Sequence, residues 1–548
     1  MYDYVIVGAG SAGCVLAARL SENPSTRVLL LEAGPPDDAD EIHVPAALNR
    51  LFQSTYDWNY STTPQERAGE RSIYWPRGRT LGGSSSINAM IYIRGSRYDY
   101  NTWRDEYGCE GWGYTDLLPY FLRSEANSRG ASAFHGASGP LSVTDLRSKS
   151  PLSAAFVEAA RRSGLPANDD FNGPRQDGAG FYQVTQRGGR RWSAADAYLH
   201  PAAGRPNLTV QTDALVTGIA ISGGRAVGVH YLLHGAEETA RAEGEVILAA
   251  GAIGSPQVLM LSGIGPADHL RSLDLSVIAD SPGVGGNLSD HPVVAVMWHT
   301  PKARGLWEQV NSRNMARWQL MHSGPLTTNV AESGGFSRSD PTLPAPDLQW
   351  HAVPAPYQNG GLTDPAIRAL SLLVGLVDVG SRGTIRLHSA DPRHKPLIDP
   401  AYLSDPADIE PLVAGIHMAR EFAAARPMSR LCKAELAPGD GARADTEIRE
   451  FIRRNLFTLY HPVGTCAMGG DSRLAASKLA SVVDSELRVR GVHGLRVVDA
   501  SVMPTVPRGN TNAPVIAIAE RAADLISGRA PLAAVDPAEL DRDVASAA

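Results

Sequence analysis

The strongest constraint on the fold is an apolar segment, residues 4–7, that runs directly into a glycine-rich turn, residues 8–13. The segment predicts a buried strand, and apolar residues at helical spacing after the turn predict that the turn opens a helix. Gly8 permits a tight turn, Gly10 lets the backbone approach a ligand, and Gly13 allows the helix to pack closely on the strand. Because a helix N-terminus offers unbonded N–H groups to a pyrophosphate, this pattern predicts a dinucleotide-binding unit.

A second apolar segment, residues 28–31, ends at Glu32. A carboxylate at the end of the second strand, about 20 residues beyond the turn, can accept hydrogen bonds from both ribose hydroxyls of an adenosine. The same charge would repel the 2′-phosphate of NADP. These residues leave both NAD and FAD open as the ligand.

Two further glycine-rich segments predict backbone that lies against a ligand. Residues 76–95 contain Gly82-Gly83-Ser84-Ser85, which offer backbone donors and small side chains. Residues 251–265 follow the apolar run 246–250, so a strand again leads into a helix that begins with glycine. Each segment alone is equally consistent with an ordinary packed turn.

Together with two C-terminal blocks, these segments resemble the glucose–methanol–choline (GMC) oxidoreductases, flavoenzymes that oxidise alcohols. The first block, residues 461–469, begins His461-Pro462-Val463-Gly464, and the second, residues 494–514, contains Gly509-Asn510-Thr511-Asn512. The blocks occur in the family's order and span residues 4 to about 525. The C-terminal blocks look most like the bacterial choline-dehydrogenase-like and alcohol-dehydrogenase-like branch. The resemblance implies FAD as the cofactor.

The resemblance also implies which residues hold FAD. The turn and Glu32 take the ADP portion, residues 79–89 lie along the pyrophosphate and flavin, and the backbone of Val216 contacts the adenine. Asp499 lies near the pyrophosphate and ribityl chain, and Asn512 places backbone against the pyrimidine end of the flavin. The complete implied set is Gly8, Gly10, Ser11, Ala12, Gly13, Glu32, Ala33, Arg79, Gly82, Gly83, Ser84, Asn88, Ala89, Val216, Asp499, Ala500, Asn512 and Ala513.

Oxidation of an alcohol removes a hydroxyl proton and a hydride, so the site needs a base beside the flavin. By resemblance, His461 is that base, and Asn510 is the second catalytic residue, which donates a hydrogen bond to the substrate oxygen. His351 and Tyr460 are candidates for the wall of the substrate cavity. His291 and the remaining histidines are expected to be structural.

The fold class expected is α/β and α+β. A discontinuous Rossmann-like FAD-binding domain is predicted to carry a substrate-binding domain with an antiparallel sheet flanked by helices. The strand-like run at residues 383–388 and a helical pattern at 409–424 support that second domain. The FAD-binding domain is predicted to comprise residues 1–36, 76–96, 206–296 and 456–528, the substrate-binding domain residues 37–75, 97–205 and 297–455, and residues 529–548 a mobile tail.

Charge and composition exclude several classes of protein. Hydrophobic residues make up 43% of the 548-residue chain, and the net charge of −7 argues against a nucleic acid partner. The most apolar stretch, residues 246–265, is interrupted by glycines and a proline, so no transmembrane segment is expected. The first strand begins beside Met1, and the four cysteines lack metal-ligand spacing. We therefore expect a reduced, cytoplasmic protein, with peripheral membrane association open.

Several functional alternatives remain open at this point. An NAD-dependent dehydrogenase would explain the first turn but not the later blocks. A hydroxynitrile-lyase-like enzyme would keep FAD without net redox turnover, and a non-catalytic flavin-binding protein is a third possibility. The alcohol, the electron acceptor (oxygen, a quinone or another acceptor) and the oligomeric state are undetermined. Choline would require a carboxylate and aromatic faces, for which the insert offers Trp307, Glu308, Trp318, Trp350 and Tyr357.

One departure from the family pattern generates a prediction about FAD attachment. Some members attach FAD covalently through a histidine immediately before the asparagine of the glycine loop, and here that position is Ile87, before Asn88. An isoleucine has no nucleophilic atom, so we predict that FAD is bound non-covalently. Acid precipitation should release all of the flavin into the supernatant, and yellow colour retained in the washed pellet would contradict the prediction.

Overall fold

The computed structural model describes residues 1–362, 367–470, 479–538 and 540. Within these residues no helix is long and apolar enough to cross a membrane. The α-helices are Ser11–Leu20, Asp40–His43, Leu48–Leu51, Arg97–Tyr107, Tyr114–Ser124, Pro151–Arg162, His200–Ala202, Gly251–Leu261, Ala267–Ser272, Ser312–Met321, Ile409–Ala424, Met428–Leu431, Asp445–Asn455 and Asn512–Ile526. Shorter helical turns are Pro45–Ala47, Glu66–Ala68, Gly83–Ser86, Ala195–Leu199, Leu306–Gln309, Pro325–Thr327, Asn359–Gly361, Pro406–Asp408 and Ala500–Val502.

Among the described residues, seven strands form a first sheet that is parallel at its centre. Its order is Leu208–Gln211, Val28–Leu31, Tyr2–Val7, Ala236–Leu248, Arg225–Leu233 and Ala214–Ser222, with Leu495–Val497 paired to the end of Ala236–Leu248. The apolar runs at residues 4–7, 28–31 and 246–250, and the apolar run at residues 495–498, therefore lie side by side, although they come from opposite ends of the chain. The expected α/β class is confirmed.

The parallel part of this sheet positions the glycine turn. The strands Tyr2–Val7 and Val28–Leu31 pair in register, and the helix Ser11–Leu20 packs on them and against Asn512–Ile526. Because both faces are covered, residues 28–31 are all buried. The carboxyl ends of the parallel strands meet at one edge of the sheet, which is where ligands bind in this class of fold.

The second sheet is antiparallel and also contains seven strands within the described residues. Its order is Glu435–Ala437, Pro292–His299, Ala369–Leu376, Leu348–Val353, Ser333–Ser337 and Gly178–Phe181, with Phe457–Thr458 paired to Pro292–His299. Helices Pro151–Arg162 and Ile409–Ala424 pack on one of its faces. The expected antiparallel sheet flanked by helices is confirmed.

The two faces of the second sheet differ because side chains alternate along a strand. In the strand Leu348–Val353, the side chains of Leu348 and Trp350 belong to the cluster that includes the covering helices. Gln349, His351 and Val353 point to the opposite face. That face is turned toward the site described below.

Several elements lie elsewhere than the sequence suggests. The run 383–388 forms the short strand Thr384–Arg386, which pairs with Leu397–Asp399 in a separate two-stranded ribbon rather than in the large sheet. The remaining two-stranded pairs are Tyr60–Ser61 with Tyr74–Trp75, Glu125–Asn127 with Leu141–Val143, Gln186–Arg187 with Arg190–Arg191, and Ile264–Gly265 with Ala279–Asp280.

The strand Pro292–His299 crosses the predicted domain boundary at residue 296 and lies entirely in the second sheet, together with Phe457–Thr458. It is one uninterrupted apolar run, so the sequence gives no sign of where the chain changes sheet. The other domain boundaries stay predictions.

The described part of the C-terminal tail packs on the helix Tyr114–Ser124. The backbone N–H of Val535 donates to the carbonyl of Thr115 at 3.1 Å, and that of Leu532 donates to the hydroxyl of Tyr120 at 2.9 Å. Leu540 is buried against the main core. The predicted mobile tail also includes residues 539 and 541–548, which lie outside the described residues.

Candidate active site

One cavity collects most of the predicted site residues. It is lined by residues at the carboxyl ends of the parallel strands and by residues from the inner face of the second sheet. The predicted residues that line it are Gly8, Gly10, Ser11, Ala12, Glu32, Ala33, Gly83, Ser84, Asn88, Ala89, Val216, His351, Tyr460, His461, Asp499, Ala500, Asn510 and Asn512.

The predicted residues that do not line the cavity are Gly13, Arg79, Gly82 and Ala513. Gly13 packs so closely on the turn that a Cβ atom there would lie 1.9 Å from the carbonyl oxygen of Gly8. The guanidinium of Arg79 lies over the ring of Trp58, 5.3 Å from its centroid. Gly13 and Arg79 therefore pack behind Gly8 and Trp58, which line the cavity.

Two helices begin at the cavity without a capping side chain. The N-cap residues of Ser11–Leu20 and Asn512–Ile526 make no side-chain cap hydrogen bond, and neither first turn contains an acidic residue. The Ser11 hydroxyl donates to the Asn512 side-chain oxygen at 2.7 Å, so the two helix ends are held together. Two helix N-termini that converge on one space favour a ligand with negative charge, such as a diphosphate.

The glycine loop is pressed against the glycine turn. A Cβ atom on Gly83 would lie 2.7 Å from the Cα atom of Gly10, and a Cβ on Gly8 would lie 2.7 Å from the carbonyl oxygen of Ala249. Gly8 and Gly83 also have positive φ angles of 97° and 52°. Glycine at these positions lets the loop, the turn and the neighbouring strand end approach this closely, so backbone lines the space beside the helix N-termini and the cradle fits the pyrophosphate of FAD.

Glu32 fits the adenosine end of the cofactor. Its carboxylate accepts hydrogen bonds from the backbone N–H of Ala9 at 2.8 Å and of Gly34 at 2.9 Å. Burial raises the pKa of Glu32 to about 7. Each carboxylate oxygen has a second lone pair, which leaves room to accept from a ribose hydroxyl.

Asp499 anchors a third helix at the cavity. Its carboxylate accepts hydrogen bonds from the Ser255 hydroxyl at 2.6 Å and from the backbone N–H of Gly251 at 2.9 Å, both in the helix Gly251–Leu261. Burial raises the pKa of Asp499. The carboxylate therefore fixes a wall of the cofactor end of the cavity.

At the opposite end of the cavity, His461 lines the wall and contacts a second histidine, His291, which lies behind it. Residues 287–293 and 457–464 run antiparallel, with Ser289 bridged to Val463. This places Nδ1 of His461 3.0 Å from Nδ1 of His291. The backbone N–H of His461 donates to Asp290 at 2.7 Å, which fixes the position of the residue.

The second ring nitrogen of His461 faces Asn510. The distance from Nε2 of His461 to Nδ2 of Asn510 is 3.1 Å, and the side-chain oxygen of Asn510 accepts from Nε2 of Gln349 at 3.1 Å. An amide nitrogen can only donate, so Nε2 of His461 is the acceptor and carries no proton. The proton of a neutral His461 then lies on Nδ1 and is donated to Nδ1 of His291.

These histidines are held uncharged. Burial first, and then the neighbouring His291, His351 and Arg77, lower the pKa of His461 well below its ordinary value. Burial also lowers the pKa of His291 to about 3 and that of His351 to about 4. His461 is therefore unprotonated at neutral pH and can accept a proton at Nε2.

Three residues of the site were not identified from the sequence. His291 was expected to be structural, but it contacts the ring of His461. Gln349 lies two residues before His351, on the same face of its strand, and that spacing was the available signal. Arg77 lines the cavity and donates to the carbonyl oxygen of Tyr460 at 2.8 Å, whereas the sequence favoured Arg79.

The family models that match the chain are both described as GMC oxidoreductase. They cover residues 2–293 and residues 379–519. A Pseudomonas putida protein named alcohol dehydrogenase [acceptor] is 45% identical over 98% of this chain and 97% of its own length. The mitochondrial choline dehydrogenase of Mus musculus is 45% identical over 96% of this chain and 89% of its own length.

Two solved structures superpose on nearly the whole chain. Pyridoxine 4-oxidase from Mesorbium loti superposes with a TM-score of 0.88 at 34% identity and covers 97% of this chain and 100% of its own. A formate oxidase structure superposes with a TM-score of 0.88 at 29% identity and covers 96% and 98% of the two chains.

The glycine cradle generates a prediction about cofactor retention. Gly83→Ala places a methyl group against Gly10 in a backbone conformation that alanine rarely adopts, so it should lower the flavin-to-protein ratio of the purified enzyme to below about half of the wild-type value. Gly204→Ala is the control, because nothing lies within 4 Å of a Cβ there. Full flavin content in the Gly83→Ala enzyme would contradict the close fit.

The lowered pKa of His351 generates a prediction about stability. An unfolded histidine takes up a proton below about pH 6.5, whereas folded His351 stays neutral down to about pH 4. The unfolded state therefore binds more protons in this window, and His351 alone contributes a loss of about 1.4 kcal/mol of stability per pH unit as pH falls from about 6 to 4.5. His351→Leu removes this loss, so its thermal midpoint should fall less over the same range. Equal falls for both proteins would contradict the assigned pKa.

Proposed function

This chain belongs to the GMC oxidoreductase family, and from that premise we propose that it oxidises its alcohol to an aldehyde or ketone with His461 as the general base. Family membership makes it an FAD-dependent, alcohol-oxidising enzyme. The observation that carries the assignment of the base is the unprotonated Nε2 of His461, held at the cavity beside Asn510.

The cofactor would be held non-covalently from both ends of the chain. The N-termini of Ser11–Leu20 and Asn512–Ile526 and the cradle around Gly83 would take the diphosphate, and Glu32 would take the ribose. The side chain of Ile87 lines the cavity at the attachment position and offers no nucleophile. When bound, FAD supplies the acceptor for the hydride that leaves the alcohol carbon.

Asn510 would orient the alcohol. Its amide nitrogen carries two N–H groups, of which one is directed to Nε2 of His461 and the other can donate to the substrate oxygen. Gln349 holds the amide in this orientation from behind. Because Nε2 of His461 has one lone pair, the hydroxyl hydrogen would replace the Asn510 N–H at that nitrogen, and Nε2 would then accept the proton.

His291 would support the charge that His461 acquires. As Nε2 takes the proton, the ring becomes an imidazolium in a buried site, which is unfavourable unless a neighbour accepts a hydrogen bond. Nδ1 of His291 is that acceptor, at 3.0 Å. The contact also keeps Nε2, rather than Nδ1, as the nitrogen that faces the cavity.

The lyase alternative has less support. The relatives and structures named above are dehydrogenases and oxidases, which perform redox turnover. The same names include both oxidases and dehydrogenases, so oxygen or a quinone is proposed as the acceptor that reoxidises the enzyme.

Removal of the base is the first test of this function. His461→Ala should retain FAD, because the residue lies at the other end of the cavity, but should reduce the rate of anaerobic flavin reduction by alcohol about 10²–10⁴-fold. Stopped-flow absorbance measures that rate. His230→Ala, which changes an exposed histidine of the strand Arg225–Leu233 in the first sheet, is the control and should reduce at the wild-type rate. Near-wild-type reduction in His461→Ala would refute the assignment.

Two substitutions distinguish a role of His291 as hydrogen-bond acceptor from a role in packing alone. His291→Phe removes the acceptor and should slow flavin reduction about 10–100-fold, while His291→Asn, whose side-chain oxygen can accept from Nδ1 of His461, should recover part of the rate. If the two variants reduce equally slowly, the histidine serves packing rather than proton transfer.

A further inference from the structure

The wall of the cavity around the base is apolar. The strands Leu348–Val353 and Ala369–Leu376 contribute Val353 and Leu373, and Leu459 lies two residues before His461. These three side chains belong to one buried cluster. The part of the substrate that extends from the hydroxyl therefore meets hydrocarbon.

In the part of the chain that the structure describes, two carboxylates line the cavity, Glu32 and Asp499. Glu32 accepts from the backbone beside the glycine turn, and Asp499 is bonded to the start of the helix Gly251–Leu261. Both are at the cofactor end. Neither can neutralise a cation that sits against the apolar wall.

Asp290 is a carboxylate in contact with the backbone of the base, and it already accepts three hydrogen bonds from the protein. It accepts from the backbone N–H of His461 at 2.7 Å, from the Thr458 hydroxyl at 2.6 Å and from the Tyr402 hydroxyl. It is 2% exposed and does not line the cavity. It offers no anionic face to a ligand.

The charged group that does line this end is a cation. The guanidinium of Arg77 donates to the carbonyl of Tyr460, the residue before the base. His291, His351 and His461 add no negative charge. Among the residues that the structure describes, a positively charged substrate group would meet a cation, hydrocarbon and aromatic rings, and no lining carboxylate.

Most of the residues that the sequence offers for an ammonium cage lie away from the cavity. Glu308 is paired with Arg368 at 2.7 Å. Trp318 donates to the carbonyl of Gly189 in a separate cluster, and Trp350 lies on the helix side of its sheet. Of the candidates Trp307, Glu308, Trp318, Trp350 and Tyr357, Tyr357 alone lines the cavity, where its hydroxyl lies 3.0 Å from that of Tyr460 and Phe52 lies against Tyr460. Aromatic faces are therefore present at this end of the cavity, but among the described residues no lining carboxylate accompanies them.

We infer that the substrate is an uncharged alcohol with an apolar body, and that the site rejects alcohols that carry a quaternary ammonium group. Burial of a cation without a paired carboxylate is strongly unfavourable, whereas a hydrocarbon group of the same shape is stabilised by the same wall. This inference rests on the proposed alcohol oxidation. By this inference, the substrate of the chain differs in charge from choline, although a relative named choline dehydrogenase is 45% identical to it.

A matched pair of alcohols tests the inference on the wild-type holoenzyme. Choline and 3,3-dimethylbutan-1-ol have the same shape, with nitrogen in one replaced by carbon in the other. Anaerobic stopped-flow reduction should give a second-order rate constant at least about 100-fold higher for the neutral alcohol. A rate constant for choline that equals or exceeds that of its isostere would overturn the inference.

A binding measurement separates failure of the inference from failure of the proposed function. His461→Ala holoenzyme lacks the base, so both alcohols can be titrated into it by calorimetry without turnover. The neutral alcohol should bind more tightly than choline. If this order holds but neither alcohol reduces the wild-type flavin, the charge inference stands and the proposed oxidation fails. Tighter binding of choline would contradict the charge inference.

A pair of variants tests whether the lack of a carboxylate in the wall causes the preference for the neutral alcohol over choline. Val353→Glu adds a carboxylate to the wall, and Val353→Gln adds the same bulk without the charge. The preference for the neutral alcohol should shift at least about 10-fold toward choline in the glutamate variant relative to the glutamine variant. The same preference in both variants would overturn the explanation. If Val353→Glu fails to retain FAD, the wild-type comparison decides alone.

Discussion

The hydrogen-bond chain from Gln349 through Asn510 and His461 to His291 is the interaction on which the rest of the site depends. Gln349 orients the amide of Asn510, the amide leaves Nε2 of His461 without a proton, and His291 accepts the proton that remains on Nδ1. Burial keeps the histidines neutral. In the proposed mechanism, the base would thereby be prepared before any substrate arrives, and Nδ1 of His291 would accept a hydrogen bond from its charged form.

The two sheets explain how residues so far apart in the chain meet. Parallel strands from residues 2–31, 236–248 and 495–497 bring the helix N-termini to one edge of the first sheet. The strand Pro292–His299 and the strand Phe457–Thr458 pair in the second sheet, which brings His291 beside His461. The cofactor end and the chemical end of the cavity are therefore built by separate sheets.

Local sequence patterns predict much of the fold, whereas the site residues that the sequence did not identify depend on long-range contacts. The glycine turn, the parallel strands and the helix Ile409–Ala424 each follow from residues close together in sequence. His291 and Gln349 gain their roles from pairing between distant strands, which periodicity does not encode. Arg79 and Arg77 flank the same glycine, and their sequence context does not determine which of them faces the cavity. Sequence context likewise does not determine that residues 383–388 pair in a separate two-stranded ribbon rather than in the large antiparallel sheet.

The protonation state of His461 is the central claim, and selective ¹⁵N-histidine labelling tests it most directly. In the oxidised holoenzyme at neutral pH, NMR signals that disappear in a His461→Asn variant identify its ring nitrogens. The hydrogen-bond chain predicts an unprotonated Nε2 and a protonated Nδ1. A proton on Nε2, or protons on both nitrogens, would contradict the account.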